Sequence, residues 1–365
     1  MVSFSILAGG YDTFIAAYLF NASSSSLTVS GRYDSGTNAS WIGAHPTNVS
    51  VFYAVNQISP GLIRTFTTTS DGVVSGPFDS ASSGGNRPPH TLALSTGEVA
   101  VVNYDTGTGR VVPTESPLTF TNATESSPII TFPPPAGGLS HPHMVFEHGN
   151  EVLVPDLGSN KIWRLRKKDH IWQILGDIPQ PIGSGPRHIA VHDDRLFTLH
   201  ELSSTLTIQK LPELSFNATA PLIANASILP ENPPAGSKWA AGEILMKKPT
   251  KEFPTPYIYV SNRNTATDPA SLDPRGDSIA IFEHVGKGTP EEGLKLVKQV
   301  YTGLTQIRGM EIGLEENGSE RYLIAAGVAG NAGTVVLERV EKGADLRVVA
   351  RNTDIPTRTT FLWLK

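Results

Sequence analysis

The sequence predicts an all-β fold, and three observations carry that expectation. Its 34 glycines and 28 prolines are scattered along 365 residues instead of pooling in linkers, which calls for many short elements joined by tight turns. Short stretches such as HIAVHD and LFTLHE alternate apolar and polar residues, the period of a strand with two different faces. One layout then recurs: an entry residue, a strand, a turn, a strand ending in small or polar residues, a Gly/Ser/Asn turn, and a third strand. A repeat of roughly 45 residues suits one four-stranded antiparallel blade and is short for an independent sandwich. Seven such units give a single seven-bladed β-propeller over residues 1–365, since radial stacking protects the sheet edges that an isolated blade would expose.

Each unit can be placed in chain order. The N-terminal FSILAGGYDTFIAAYLF pairs with TTFLWLK at the other end, so N- and C-terminal strands are expected to close one blade. WIGAHPTNVSVFYAVNQISPGLIRTF follows from Trp41, and RPPHTLALSTGEVAVVNYDTGTGRVVP from Arg87. HPHMVFEHGNEVLVPDLGSNKIWRL (141–165) and GPRHIAVHDDRLFTLHELSSTLTIQKL (185–211) match almost residue for residue. AGEILMKKPTKEFPTPYIYVSNRN, continuing to DSIAIFEHV, and RGMEIGLEENGSERYLIAAGVAGNAGTVVLERV are looser copies that complete the ring.

Composition narrows the partners. The net charge of −5 is modest and no block of like charges occurs, which argues against nucleic acid and against a polybasic membrane anchor, and leaves small molecules as partners. With no cysteine, disulfides, thiolate metal sites and a cysteine nucleophile are excluded. No apolar run approaches the roughly 18 residues needed to cross a bilayer as a helix. Sequons stand at Asn21, Asn38, Asn48, Asn122, Asn217, Asn225 and Asn317, against roughly three expected by chance, so N-glycans are expected there. The excess points to a secreted protein whose leader was removed and replaced by Met1; a cytoplasmic protein is the alternative.

In a propeller the innermost strands line a central channel, so the residues that enter them share one mouth. His90, His143 and the Arg187-His188 pair occupy equivalent entries in three consecutive copies. The second strands end in Asn103-Tyr104, Asp156, His200-Glu201 and Asn262-Arg263, while Glu243 and Arg308 begin later copies. Such convergence of residues distant in sequence is how a pocket is built. Plainer roles compete: an entry histidine can hold a backbone carbonyl, His141 can shape the strand entry alone, and Asp156 and Asn103 suit turns. The HPH pair would need a third ligand from another blade to bind zinc or copper, so no metal is assigned. No phosphate-cradling loop of Walker or dinucleotide type occurs between a strand and a helix.

HPHMVF with VPDLGSNKIW, GPRHIAV with HELSSTLTI, and RPPHTLAL with VNYDTGTG together resemble the seven-bladed lactonase family. That family includes bacterial 6-phosphogluconolactonase and the fungal 3-carboxy-cis,cis-muconate lactonizing enzyme. The resemblance is strongest from about residue 87 to 211. It implies a cofactor-free site of one histidine, two arginines and one glutamate that opens or closes a small acidic lactone of muconolactone or aldonolactone type. Carried over by motif, the arginines fall on Arg187 (GPRH) and Arg263 (VSNRN) and the glutamate on Glu201 (LHELSS). The histidine falls on His143, or on His141 if the register shifts by one or two places. His90, His141, His188, His200, Arg308 and Glu243 are then expected to bind substrate. A histidine moves protons near neutral pH, and arginines hold carboxylates bidentately and neutralise developing charge. Because propellers host many functions, a catalytically silent, secreted propeller that binds carbohydrate or protein is the competing expectation.

Overall fold

Alternation in these strands sends successive side chains to two different cores rather than to core and solvent. In Ser3–Gly9, Phe4, Ile6 and Ala8 enter one cluster with Ile324, Ala326 and Val336, whereas Leu7 points the other way, toward Phe52, Ala54 and Phe66. Seven hydrophobic clusters arise in this manner, one between each pair of neighbouring sheets. A ring of sheets stacked face to face is the arrangement that buries both faces of every blade.

The computed structural model describes residues 2–121, 127–213 and 220–365. It is an all-β seven-bladed propeller of antiparallel blades. From the channel outward, blade 1 contains Ile42–Ala44, Val51–Asn56 and Leu62–Thr68, with Val74–Ser75 and Ser80–Ser82 both pairing the third strand. Blade 2 contains His90–Ala93, Val99–Asn103, Thr108–Val112 and Ile130–Thr131; blade 3 Phe146–His148, Glu151–Asp156, Lys161–Lys168 and Ile171–Pro179. Blade 4 contains Pro186–His192, Arg195–His200, Thr205–Lys210 and Leu222–Ser227; blade 5 Trp239–Met246, Ile258–Asn264, Ser278–Val285 and Gly293–Tyr301. Blade 6 contains Thr305–Ile312, Tyr322–Ala329, Thr334–Val340 and Asp345–Asn352. Blade 7 is the seam: Thr360–Trp363 is its innermost strand, followed outward by Ser3–Gly9, Phe14–Asn21 and Ser26–Asp34. The register Ile6↔Trp363 to Gly9↔Thr360 joins the two ends of the chain. A hairpin, Thr114–Ser116 with Thr119–Phe120, stands outside the seven sheets.

Two local features hold the blades to one another. A residue at or near the end of a second strand fastens the link arriving from the preceding blade: Asn56 Nδ2 donates to the carbonyls of Ser35 and Thr37, Asn103 Nδ2 to Ser83, and Asn262 Nδ2 to Ile228. Asp156 does the same work as an acceptor, taking bonds from the Ser140 hydroxyl and the His141 amide. The innermost strands also approach too closely for a side chain, because a Cβ on Gly242 or Gly309 would collide with backbone atoms of Ile307 or Thr359 in the next blade.

Candidate active site

The strand-end pairs divide their labour by the two-residue period of a strand. The first member of each pair turns inward, where Asn56, Asn103 and Asn262 fasten the blade link and His200 meets Thr207 of its own blade, and its neighbour points to the other side. Hence Gln57 follows Asn56, Tyr104 follows Asn103, Glu201 follows His200 and Arg263 follows Asn262. Tyr11, Gln57, Arg87, Tyr104, Asp105, His143, Glu201 and Arg308 line a cavity of ≈ 270 Å³ at the mouth where the innermost strands begin.

His143 is 4 % exposed, yet it forms part of the cavity wall. Its Nδ1 lies 3.1 Å from His188 Nε2, and His188 Nδ1 lies 2.5 Å from Glu243 Oε1. Burial above all, then the charge of Arg187 and its neighbours, pulls both imidazoles well below their ordinary range, so they are neutral at pH 7. Burial pushes the Glu243 carboxyl up to about 8, against the opposing pull of Arg187, Arg308 and Arg263. Glu243 is therefore mostly a neutral acid at pH 7.

Glu201 has the opposite balance. Burial would raise it, but Arg263, Arg187 and Arg308 outweigh that effect and hold it below the usual carboxylate range. Arg187 Nε lies 2.9 Å from Glu201 Oε2, and Arg263 Nη2 lies 2.9 Å from Oε1. Arg187 also donates to the Gly242 carbonyl and Arg263 to that of Ala241 at 2.8 and 3.1 Å. Burial pulls Arg187 down to about 9, still cationic at neutral pH. Arg308 differs from both: among the described residues it forms no ion pair or side-chain hydrogen bond, and its guanidinium carbon sits 5.8 Å from the Tyr11 ring centre.

The expected residues thus separate into three groups. His143, Glu201 and Arg308 line the cavity, while Arg187, Arg263, His188 and Glu243 lie directly behind that wall. His90, His141 and His200 are placed elsewhere. His90 stacks on Trp41 with ring centres 4.2 Å apart and lines a second, mainly apolar cavity of ≈ 570 Å³ at the opposite mouth. His141 stacks on Tyr104, and its Nδ1 lies 2.8 Å from that residue's carbonyl oxygen. It shapes the strand entry while His143, two residues on, reaches the wall. His200 turns inward as the first member of its pair, its Nε2 2.8 Å from the Thr207 hydroxyl. The role expected for Arg187 and Arg263 also changes, since both spend their forks on Glu201 and backbone carbonyls and neither lines the cavity. Tyr11, Gln57, Arg87 and Asp105 were missed, although Tyr11 and Gln57 follow second strands just as Glu201 does. Among the described residues no group of three or more His, Asp or Glu could hold a metal ion.

The fold is thus an all-β ring with a charged cavity at one mouth that holds one imidazole, His143. The profile of the family described as "Lactonase, 7-bladed beta-propeller" matches residues 5–363, and the chain belongs to that family. Among solved structures, a protein from Lactobacillus plantarum is 18% identical with a TM-score of 0.79, each chain covered over 100% of its length. The Pseudomonas aeruginosa periplasmic gluconolactonase is 16% identical with a TM-score of 0.78, over 100% of this chain and 99% of that one. At these identities the likeness shows the fold. An uncharacterised Staphylococcus aureus protein is 27% identical over 205 residues, 54% of this chain and 52% of its own length. The chain spans about half the length of the curated relatives it matches.

Proposed function

We propose that this protein opens a small acidic lactone, or closes one by intramolecular addition of a carboxylate to a double bond, without a cofactor. The observation that carries the reading is the pairing, within one cavity of ≈ 270 Å³, of the His143 imidazole with Arg308, a cation that no protein carboxylate neutralises among the described residues. A cationic, partly enclosed site recruits an anionic ligand, and a guanidinium binds a carboxylate in a planar, two-pronged manner. The volume suits a single five- or six-membered lactone with its acid substituent. Kinship with the lactonase family and the fold of the Pseudomonas gluconolactonase support lactone chemistry, and the acid substituent rests on Arg308.

In hydrolysis, water adds to the acyl carbon as its proton passes to His143 Nε2, the nitrogen not engaged with His188. The acyl–oxygen bond of the ring then breaks, and the proton returns to the departing ring oxygen. Arg308 holds the substrate carboxylate and stabilises the developing oxyanion; Glu201, kept ionised by Arg187 and Arg263, orients the water or the substrate hydroxyl. In the alternative lactonizing reaction, an intramolecular addition and not the reverse of hydrolysis, a substrate carboxylate adds across a carbon–carbon double bond and His143 protonates the adjacent carbon. His143, Glu201 and Arg308 are the catalytic residues in this reading, and Arg187 and Arg263 position Glu201.

The test is acid release in a pH-stat from D-glucono-1,5-lactone, related aldonolactones and muconolactones, with and without EDTA. His143→Ala should cut turnover by roughly 100- to 10,000-fold. No acid release from any member would transfer the protein to the carbohydrate- or protein-binding reading, and loss with EDTA would demand a metal. The reading extends to one domain over residues 1–365 and to export from the cytoplasm, as the described location of the Pseudomonas protein and the sequon excess suggest. Asn38 and Asn317 donate their Nδ2 to the carbonyls of Gln57 and Leu364, whereas Asn21, Asn48 and Asn225 leave that nitrogen unbonded among the described residues. Asn122 and Asn217 lie outside the described residues. Glycopeptide mapping of native protein should find sugar at Asn21, Asn48 and Asn225, and none at Asn38 or Asn317; an unmodified protein would refute export through a glycosylating pathway.

A further inference from the structure

His143 faces a difficulty as a proton carrier. Buried beside Arg187, Arg308 and Arg263, with His188 against its other nitrogen, it cannot hold an extra proton at neutral pH. An imidazole that never becomes imidazolium is a poor acid and a poor base when it acts alone. What lies behind it removes the difficulty. His143 Nδ1 meets His188 Nε2 at 3.1 Å, and His188 Nδ1 meets Glu243 Oε1 at 2.5 Å. Glu243 Oε1 also accepts from the Ile244 amide at 3.0 Å, while Oε2 is buried with no hydrogen-bond partner among the described residues. A permanent carboxylate would be poorly served there, whereas a carboxyl group that shares one proton with His188 is well served.

We propose that Glu243, His188 and His143 form a three-residue proton relay, in which the charge change that accompanies proton transfer at the cavity falls on Glu243 and both histidines stay neutral. The inference rests on the assignment of His143 as the proton-transferring residue. His188 and Glu243 touch no substrate and act through His143, as positioning residues that also carry the proton.

The proton count closes. In the acid form Glu243 O–H donates to His188 Nδ1, His188 Nε2–H donates to His143 Nδ1, and His143 Nε2–H points to the cavity. When His143 Nε2 gives its proton to the departing ring oxygen, His188 Nε2 passes one to His143 Nδ1 and Glu243 passes one to His188 Nδ1. The base form that results has an ionised Glu243 and two neutral imidazoles, each now protonated at Nδ1. Attack by water runs the same shifts inward. Glu243 is faced by Arg187, Arg308 and Arg263, which favour its anion, and by His188 and Glu311, so burial and the three guanidiniums oppose each other near neutrality. His188 is faced in addition by His90 and Glu201.

Nitrogen-15 NMR of histidine-labelled full-length protein tests this without any substrate. Between pH 6 and 10, His143 and His188 should change together from the Nε2–H to the Nδ1–H tautomer, with a midpoint near 8 and no imidazolium signal. Glu243→Gln cannot ionise, and its amide oxygen takes the Ile244 amide hydrogen that Oε1 accepts, so both rings should keep one tautomer throughout. Unchanged tautomers in the wild type, an imidazolium on either ring, or the same switch in Glu243→Gln would overturn the relay. Should Glu243→Gln fail to fold, the wild-type titration decides alone. With D-glucono-1,5-lactone as probe, and the uncatalysed rate subtracted, the rise in kcat/KM toward pH 8 should vanish in Glu243→Gln and return in Glu243→Asp. A wild type that switches tautomers but turns over no lactone would sink the functional reading and leave the relay standing.

Discussion

Arg308 in the cavity wall and Arg187 behind it carry the same side chain, yet their partners give them different work. Arg308→Gln removes an unpaired, half-buried cation, so kcat/KM should fall by roughly 30- to 150-fold, the worth of a charge-assisted bond of about 2–3 kcal/mol, mostly through KM. Differential scanning calorimetry should find its Tm unchanged. Arg187→Ala breaks a buried pair with Glu201, so activity should be lost, and an arginine that only bound substrate would leave stability unchanged. With Arg187 1 % exposed, the variant should instead also lose about 3–5 kcal/mol in urea denaturation. Glu243 adds a pH signature. Its folded pKa, about 8, exceeds the unfolded value of 4.5, so the folded state binds the extra proton between them. Stability from this group is present below pH 4.5 and is lost as pH rises through 8. The Tm of Glu243→Gln minus that of wild type should therefore grow from pH 5 to pH 9; a constant difference would contradict the carboxyl's burial in its acid form. Residue types and their common address were legible in the sequence, but partners were not. Nothing in GPRH or VSNRN says that both arginines end on one glutamate, because that depends on side-chain direction across blades 4 and 5.

At the scale of an element, the strand end is the unit that repeats. Asp156 shows how much one position can hold: it accepts from the Ser140 and Trp163 side chains and from the amides of His141, Gly158 and Ser159. Its truncation to alanine leaves several buried donors without a partner, and the midpoint of urea unfolding should drop by an amount equivalent to at least ~3 kcal/mol. The turn-forming role of Asp156 could be read from residue type, whereas Asn103 instead donates to the Ser83 carbonyl and the Thr108 hydroxyl. The division between His200 and Glu201 could not, since both are polar and adjacent, and only the strand's phase relative to the blade link separates them. The same phase explains His141 and His143, two residues apart, of which one braces Tyr104 and the other reaches the cavity. Fourth strands were harder to see than the first three: Ile130–Thr131 is two residues long, and Leu222–Ser227 alternates weakly at the rim.

At the scale of the molecule, closure is what makes a site from scattered residues, and the repeat made closure readable before any coordinate. Copies at Arg87, 141–165 and 185–211 share spacing closely enough to count, and the N-terminal unit lacked a strand that only TTFLWLK could supply. Trp363 and Phe361 then seal the cluster between blades 6 and 7. Deletion of residues 360–365 should leave Ser3–Gly9 without its inner partner, and thermal unfolding followed by circular dichroism should broaden and lose cooperativity; a sharp transition at the wild-type Tm would show that the ring does not depend on its seam. Strand Thr360–Trp363 runs antiparallel to Ser3–Gly9, with Trp363 opposite Ile6, so the first and last residues of the seam leave the sheet at the same end. Tension applied to the two termini, as between a pair of optical-trap handles, would load those backbone bonds one rung after another instead of all together. The ring should melt as one unit on heating but unzip at low force from this one stitch.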